Sequence, residues 1–137
     1  AHCRGMAHDR TYDDGDPLLA RLRELALALP EAYEKEAWGR PTFRAGKIFA
    51  IYGGGVKIAP GDHEPHDRAV LVKPEPGEVA ALDEDPRFFV PAYYGPFGWR
   101  GLDLDTDDVD WTEVAELLDA SFRQVASRSA VKELDAR

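Results

Sequence analysis

Between Ala37 and Gly61 the chain holds four cations, Arg40, Arg44, Lys47 and Lys57, and no acid. The segment Trp38–Gly61, WGRPTFRAGKIFAIYGGGVKIAPG, is otherwise built from strand formers and rings (Phe43, Ile48, Phe49, Ile51, Tyr52, Val56, Ile58) punctuated by glycines. β-branched and aromatic residues separated by turn glycines read as sequential antiparallel strands. The pattern predicts strand material over 42–47 and 48–52, bent at Ala45-Gly46. Gly53-Gly54-Gly55 is then expected to turn the chain into a strand over 56–59. The cations would give this hairpin a local positive face on a chain whose formal net charge is -9.

The flanking segments supply the rest of an α+β chain. Asp16 is a good N-cap, and Pro17 stands at the first helical position, where its missing N–H costs nothing. Leu18, Leu22, Leu25 and Leu29 follow at helical spacing, and Pro30 stops the run. Residues 33–38 read as a strand, 60–67 as a polar loop and 69–73 as a buried strand. A short helix is expected over 78–83, an aromatic loop over 88–99, and a last strand around Leu102 and Leu104. Asp110 and Glu113 resemble a capping box, and Trp111, Val114, Leu118, Phe122 and Val125 give a final helix its apolar face. The architecture expected is an N-terminal helix, an antiparallel β meander and a C-terminal helix in a two-layer sandwich. Residues 1–15 and 128–137 read as tails around a single domain over 16–127.

A chain of 137 residues suits one domain that buries roughly two-thirds of its unfolded surface. No apolar run approaches the ~20 residues of a membrane helix, and nothing resembles a secretory signal. The only cysteine, Cys3, precludes an internal disulfide, which makes a cytoplasmic location the default expectation. The acidic balance opposes global attraction to nucleic acid or anionic lipid. Charge is nevertheless segregated: Asp103, Asp105, Asp107, Asp108, Asp110, Glu113, Glu116 and Asp119 follow one another with no intervening cation.

Five stretches, in order, carry a family resemblance: WGRPTFR at 38–44, GKIFA at 46–50, VLVKPEPGE at 70–78, VPAYYGPFGW at 90–99 and LLDASFRQVA at 117–126. Together they resemble the MmcQ/YjbR family, small bacterial proteins with a frataxin-like (CyaY-like) fold to which a double-wing DNA-binding motif is ascribed. The resemblance implies DNA as a partner and a lysine at the position of Lys73. One departure is visible. Members often carry an Asn-Lys-x-x-Trp-like stretch before the aromatic that Trp99 matches, whereas Gly95-Pro96-Phe97-Gly98 here brings no cation.

The residues themselves offer several candidate chemistries. Arg40, Arg44, Lys47 and Lys57, with Lys73 added by the resemblance, could meet phosphates while Trp38, Phe43 or Tyr52 stacks on bases. The plainer reading is a solvated strand face whose cations pair with acids such as Glu34 and Glu36. Tyr93, Tyr94, Phe97 and Trp99, among prolines and glycines, form either a ligand or partner surface or a plug over one end of the sheet. His63-Glu64-Pro65-His66, flanked by Asp62 and Asp67, has metal donors but no rigid chelate, and reads as a solvated loop. His2 and Cys3 fall in the expected tail. The acidic block suggests hard cations only by analogy of fold, because acids also suit a helix start. Ser121 has no evident base, and Gly53-Gly54-Gly55 lacks the Gly-Lys-Ser/Thr of a phosphate loop and reads rather as a hairpin turn or bulge. The expectation is therefore a binding domain with no catalytic residues, no metal and no cofactor. DNA is the leading partner, a protein or small ligand at the aromatic loop the alternative, and divalent metal at the acidic block a weaker one.

Overall fold

The computed structural model describes residues 10–137, so His2, Cys3, Met6 and His8 lie outside the described residues. Helix α1 spans Pro17–Leu27, capped by Asp16, whose side chain accepts the Leu18 N–H at 2.9 Å. It buries Leu19, Leu22 and Ala26, while Leu18, Leu25 and Leu29 lie at the edge of the same contact. Six antiparallel strands follow: β1 (Tyr33–Ala37), β2 (Arg40–Ala45), β3 (Lys47–Ala59), β4 (Asp62–Val72), β5 (Phe88–Phe89) and β6 (Arg100–Asp103). Their order in the single sheet is β1-β2-β3-β4-β6-β5. Helix α2 (Val79–Asp83) lies before β5, and α3 (Trp111–Val125) and α4 (Arg128–Asp135) close the chain. The α+β class expected from the sequence is the class observed.

The helices cover one face of the sheet, here the inner face. Phe43, Tyr52, Val70 and Val72 from the strands meet Leu19, Leu22, Leu118 and Phe122 from α1 and α3, each large side chain contributing about 1.5–3 kcal/mol by leaving water. A smaller apolar cluster sits on the outer face, where Ile51, Leu71 and Trp99 pack with Ile48, Phe89 and Tyr94. The register lines Thr42, Ile51, Leu71, Gly101 and Phe89 across the sheet on this side.

Four expectations need correction. Gly53-Gly54-Gly55 does not turn the chain; it lies within β3, which continues to Ala59. The ladder shifts between Tyr52 and Gly54, and Gly53 takes φ 94°, so of the hairpin turn and the bulge expected of it the triplet makes the bulge. A Cβ on Gly53 would also collide with the Arg40 Nη1. The polar stretch 60–67 is mostly β4, and the turn is only Pro60-Gly61, between paired Ala59 and Asp62. The presumed tail after Ser127 is helix α4: the Ser127 hydroxyl oxygen accepts the Ala130 N–H, and Ala130 is fully buried. Within the aromatic segment, Phe88 and Phe89 form a short strand on β6. In addition, part of the expected N-terminal tail lies along β1, with the Thr11 N–H donating to the Gly39 carbonyl at 3.0 Å.

Ser121 shows why α3 docks where it does. The β2–β3 register skips Phe49, leaving its carbonyl outside the ladder. The buried Ser121 hydroxyl donates to that carbonyl at 2.6 Å and accepts the Lys73 N–H at 2.9 Å. One side chain thus satisfies both loose ends of the sheet, as buried backbone groups require.

Candidate nucleic-acid interface

Strand alternation decides which of the basic side chains share a face. Phe43 and Ala45 belong to the inner core, so Arg40, Thr42 and Arg44 point to the outer face of β2. Lys35 is paired with Thr42 across β1 and β2 and shares that face. Val72 is inner, which places Lys73 outer, beside the end of β3 that holds Ile48. Lys47 stands at the β2–β3 turn, opposite inner Ala45 and one residue before outer Ile48, which turns it to the inner side. Lys35, Arg44 and Lys73 therefore gather at one end of the outer face, with Lys47 at the neighbouring turn on the other side of the sheet. No motif marks Lys35 in the sequence; the register that sets it opposite Thr42 brings it to this face.

Thr42 orders this end. It is fully buried; its hydroxyl donates to the Lys35 carbonyl and accepts Arg44 Nε at 3.1 Å. Among the described residues, none of Lys35, Arg44, Lys47 and Lys73 has a carboxylate within ion-pair distance. Glu34 and Glu36, the nearest acids in sequence, stand opposite Phe43 and Pro41 and so face the inner side, where other groups engage them. Glu34 receives Arg23 Nε at 2.7 Å from α1, and Glu36 receives Arg10 at 2.8 Å and the Tyr12 hydroxyl at 2.6 Å. The Tyr12 bond, together with Arg10, holds the Glu36 carboxyl below its ordinary range against the opposing effect of burial.

The other predicted contacts do not join this cluster. Arg40 donates to Asp67 at 3.2 Å, lies over Gly53, and keeps Nη1 buried with no acceptor among the described residues. Lys57 is ten positions beyond Lys47 in β3, about 33 Å along an extended strand. Alternation from Gly54, whose missing Cβ faces Leu71, also turns Lys57 to the opposite side. Phe43 and Tyr52 are fully buried and cannot stack on a base. Trp38 is 54% exposed. It and Gly39 take φ of 54° and 77° between paired Ala37 and Arg40, a two-residue turn that demands positive φ twice.

The aromatic segment divides. Trp99 is buried and tilts against Tyr94 at 5.9 Å, so both plug the outer cluster, while Tyr93 and Phe97 are 79% and 67% exposed. Tyr93 takes φ 73° in a three-residue γ-turn closed by the Tyr94 N–H on the Ala92 carbonyl at 2.8 Å. Arg100, which the sequence reading passed over, holds the segment down. Buried among it, Arg100 donates to the Gly95 and Trp99 carbonyls and to both Asp83 oxygens, and its hydrogen bonds keep the Asp83 carboxyl below the usual range. A cleft of about 460 Å³ beside Arg40 and Gly54 takes Ala92 and, of the rings, Tyr94 from this segment.

His63 and His66 fall on opposite sides of β4. His66 stacks on Phe89 at 4.2 Å and hydrogen-bonds Asp103 at 2.7 Å and Glu64 at 3.0 Å. Among the described residues no three His, Cys, Asp or Glu side chains are placed to hold a metal ion. No helix among them is long and apolar enough to cross a membrane.

A sheet covered by helices on one side, with a small apolar cluster and a set of unpaired cations on the other, defines a two-layer α+β domain. The YjbR family profile matches residues 27–124, and the chain belongs to that family. No curated protein matches the sequence.

Proposed function

We propose that this domain is a non-catalytic binding module of the cytoplasm whose outer face, at the β2–β3 end, takes the phosphate backbone of a nucleic acid. The observation that carries the reading is the set Lys35, Arg44 and Lys73, free of carboxylate partners among the described residues at one end of the outer face, while Glu34 and Glu36 face the inner side and are held by other groups. An acidic molecule can hold a polyanion when cations on one face focus the local field. Arg44 is the anchor, because Thr42 fixes its Nε and leaves the rest of the fork for a phosphate. Trp38, six residues away and about 20 Å along the strand, supplies an exposed ring for a base further along the chain. The engagement of Ser121 by two backbone groups agrees with the absence of a nucleophile from this reading.

The test is fluorescence anisotropy of labelled duplex and single-stranded DNA at about 50 and 200 mM salt. We expect salt-sensitive binding that falls about ten-fold in Lys35→Ala/Arg44→Ala. The slope of log K against log salt should drop by roughly 1.4–1.8 for two phosphate contacts. Lys57→Ala should leave both unchanged. Absent binding at low salt, or equal losses in the two variants, would sink the reading.

A second reading rests on Tyr93, which holds a solvent-exposed ring on a backbone conformation that few side chains adopt. Tyr93 and Phe97 would then form a small protein- or ligand-binding knob, and it would stand if DNA binding failed.

A further inference from the structure

The surface opposite in sign to the basic edge has a shape of its own. Glu113, Glu116, Leu117 and Ala120 recur at spacings of three, one and three along α3, a second stripe beside the one that buries Val114, Leu118, Ser121 and Phe122. Across from it lies α2, whose Leu82 is half-buried yet packs against neither apolar cluster. Between them runs a groove of about 460 Å³ with Leu82, Leu117 and Ala120 on its floor. Glu75 and Glu78 stand on one rim and Glu116 on the other. Glu113, at the end, is held by Arg87 at 2.8 Å. Among the described residues, Glu75, Glu78 and Glu116 have no cation within ion-pair distance.

An apolar floor between two unpaired acidic rims is complementary to one kind of occupant. A helix that carries leucine-like anchors at i, i+3, i+4 and i+7, with lysine or arginine on both sides of that stripe, would satisfy the floor and both rims. We propose that the α2–α3 groove docks a basic amphipathic helix of a partner protein. The site is independent of the outer sheet face, so one domain could hold a polyanion and a basic protein segment together. Leu82 and Leu117 supply the contact area, and the glutamates fix orientation and reject acidic helices.

The probe is a short synthetic helix with leucines at that spacing and lysines flanking them, set beside a peptide of the same composition scrambled so that its leucines share no face. Binding to the full chain is followed by calorimetry and by amide shift mapping. The patterned peptide should bind, shift Leu82, Leu117 and Ala120, and exceed the scrambled peptide by about ten-fold. Glu75→Lys/Glu78→Lys should weaken it about ten-fold, while Asp107→Lys/Asp108→Lys, which changes net charge equally on the loop before α3, should change it less than about two-fold. Leu82→Ser should weaken it with the glutamates intact, and the unbound shift map of each variant reports whether it is folded. No binding by the patterned peptide, equal binding by the scrambled one, or equal loss in both charge-reversal variants overturns the proposal.

Discussion

Trp38 sits where the backbone asks for glycine or asparagine. Its φ of 54° belongs to the left-handed region, and Gly39 beside it at 77° completes a turn whose usual first residue is Asn or Asp. A large side chain there costs of order 1 kcal/mol or more, and a half-exposed indole recovers little of it by packing. Trp38→Asn should therefore raise stability by about 0.5–1 kcal/mol, read from a chemical denaturation midpoint at unchanged slope. If the indole serves the proposed polyanion face, the same variant should bind DNA more weakly while melting later. A destabilised variant would show that the ring is held by contacts rather than merely tolerated.

At the scale of elements, the long arm made by the outer halves of β3 and β4 depends on few anchors. The Ala92 N–H donates to the Gly55 carbonyl at 2.7 Å, and His66 ties β4 to β6 and β5 through Asp103 and Phe89. Burial lowers the affinity of the His66 imidazole for its proton, but Asp103 and then Glu64 outweigh it, and its pKa lies above the ordinary value of about 6.5. A raised pKa means that this anchoring is complete below about 6.5 and is lost as pH rises through the higher folded value. Amide exchange at 62–67, corrected for intrinsic rate, should therefore accelerate on going from pH 6 to pH 8, and His66→Gln should remove that difference. Identical protection at both pH values would contradict it. The arm also marks the limit of what sequence could tell. Strands β2 and the first half of β3 were legible because one face is buried and alternation survives. Residues 60–67 project beyond the helices, so both faces are wet and the strand reads as a loop. Helix α4 was hidden for a related reason, since only Ala130 is fully buried. Arg44 and Lys73 could be named from the sequence, but the neutralisation of Arg40 by Asp67 and the separation of Lys57 depend on register, which the glycine bulge resets.

Across the whole molecule, the helical layer is joined to the sheet by one buried carboxylate as well as by the apolar core. Asp16 caps α1 and accepts Arg68 Nε and Nη2, each at 2.9 Å, and the Tyr52 hydroxyl at 2.7 Å. The Arg68 hydrogen bonds lead, against the effect of burial, in holding the Asp16 carboxyl down at about pKa 2. A depressed carboxyl pKa gives stability that is full above the unfolded value near 3.9 and is lost as pH falls towards 2. With Arg68 half-exposed, that contribution is about 1–2 kcal/mol. Asp16→Asn should flatten the stability–pH curve between about pH 4 and 2 while lowering stability at neutral pH; an unchanged acid limb would assign the loss to other carboxylates. The glycine bulge does the corresponding work at the root of the arm. Because residues 53–55 carry no side chains, Arg40 closes directly over Gly53, Leu71 over Gly54 and the Glu64 carbonyl against Gly55. A side chain at any of the three would have to displace one of those neighbours, so the bulge is a socket cut to the shape of what covers it, and the arm of about 20 Å beyond it to Gly61 is seated through that fit.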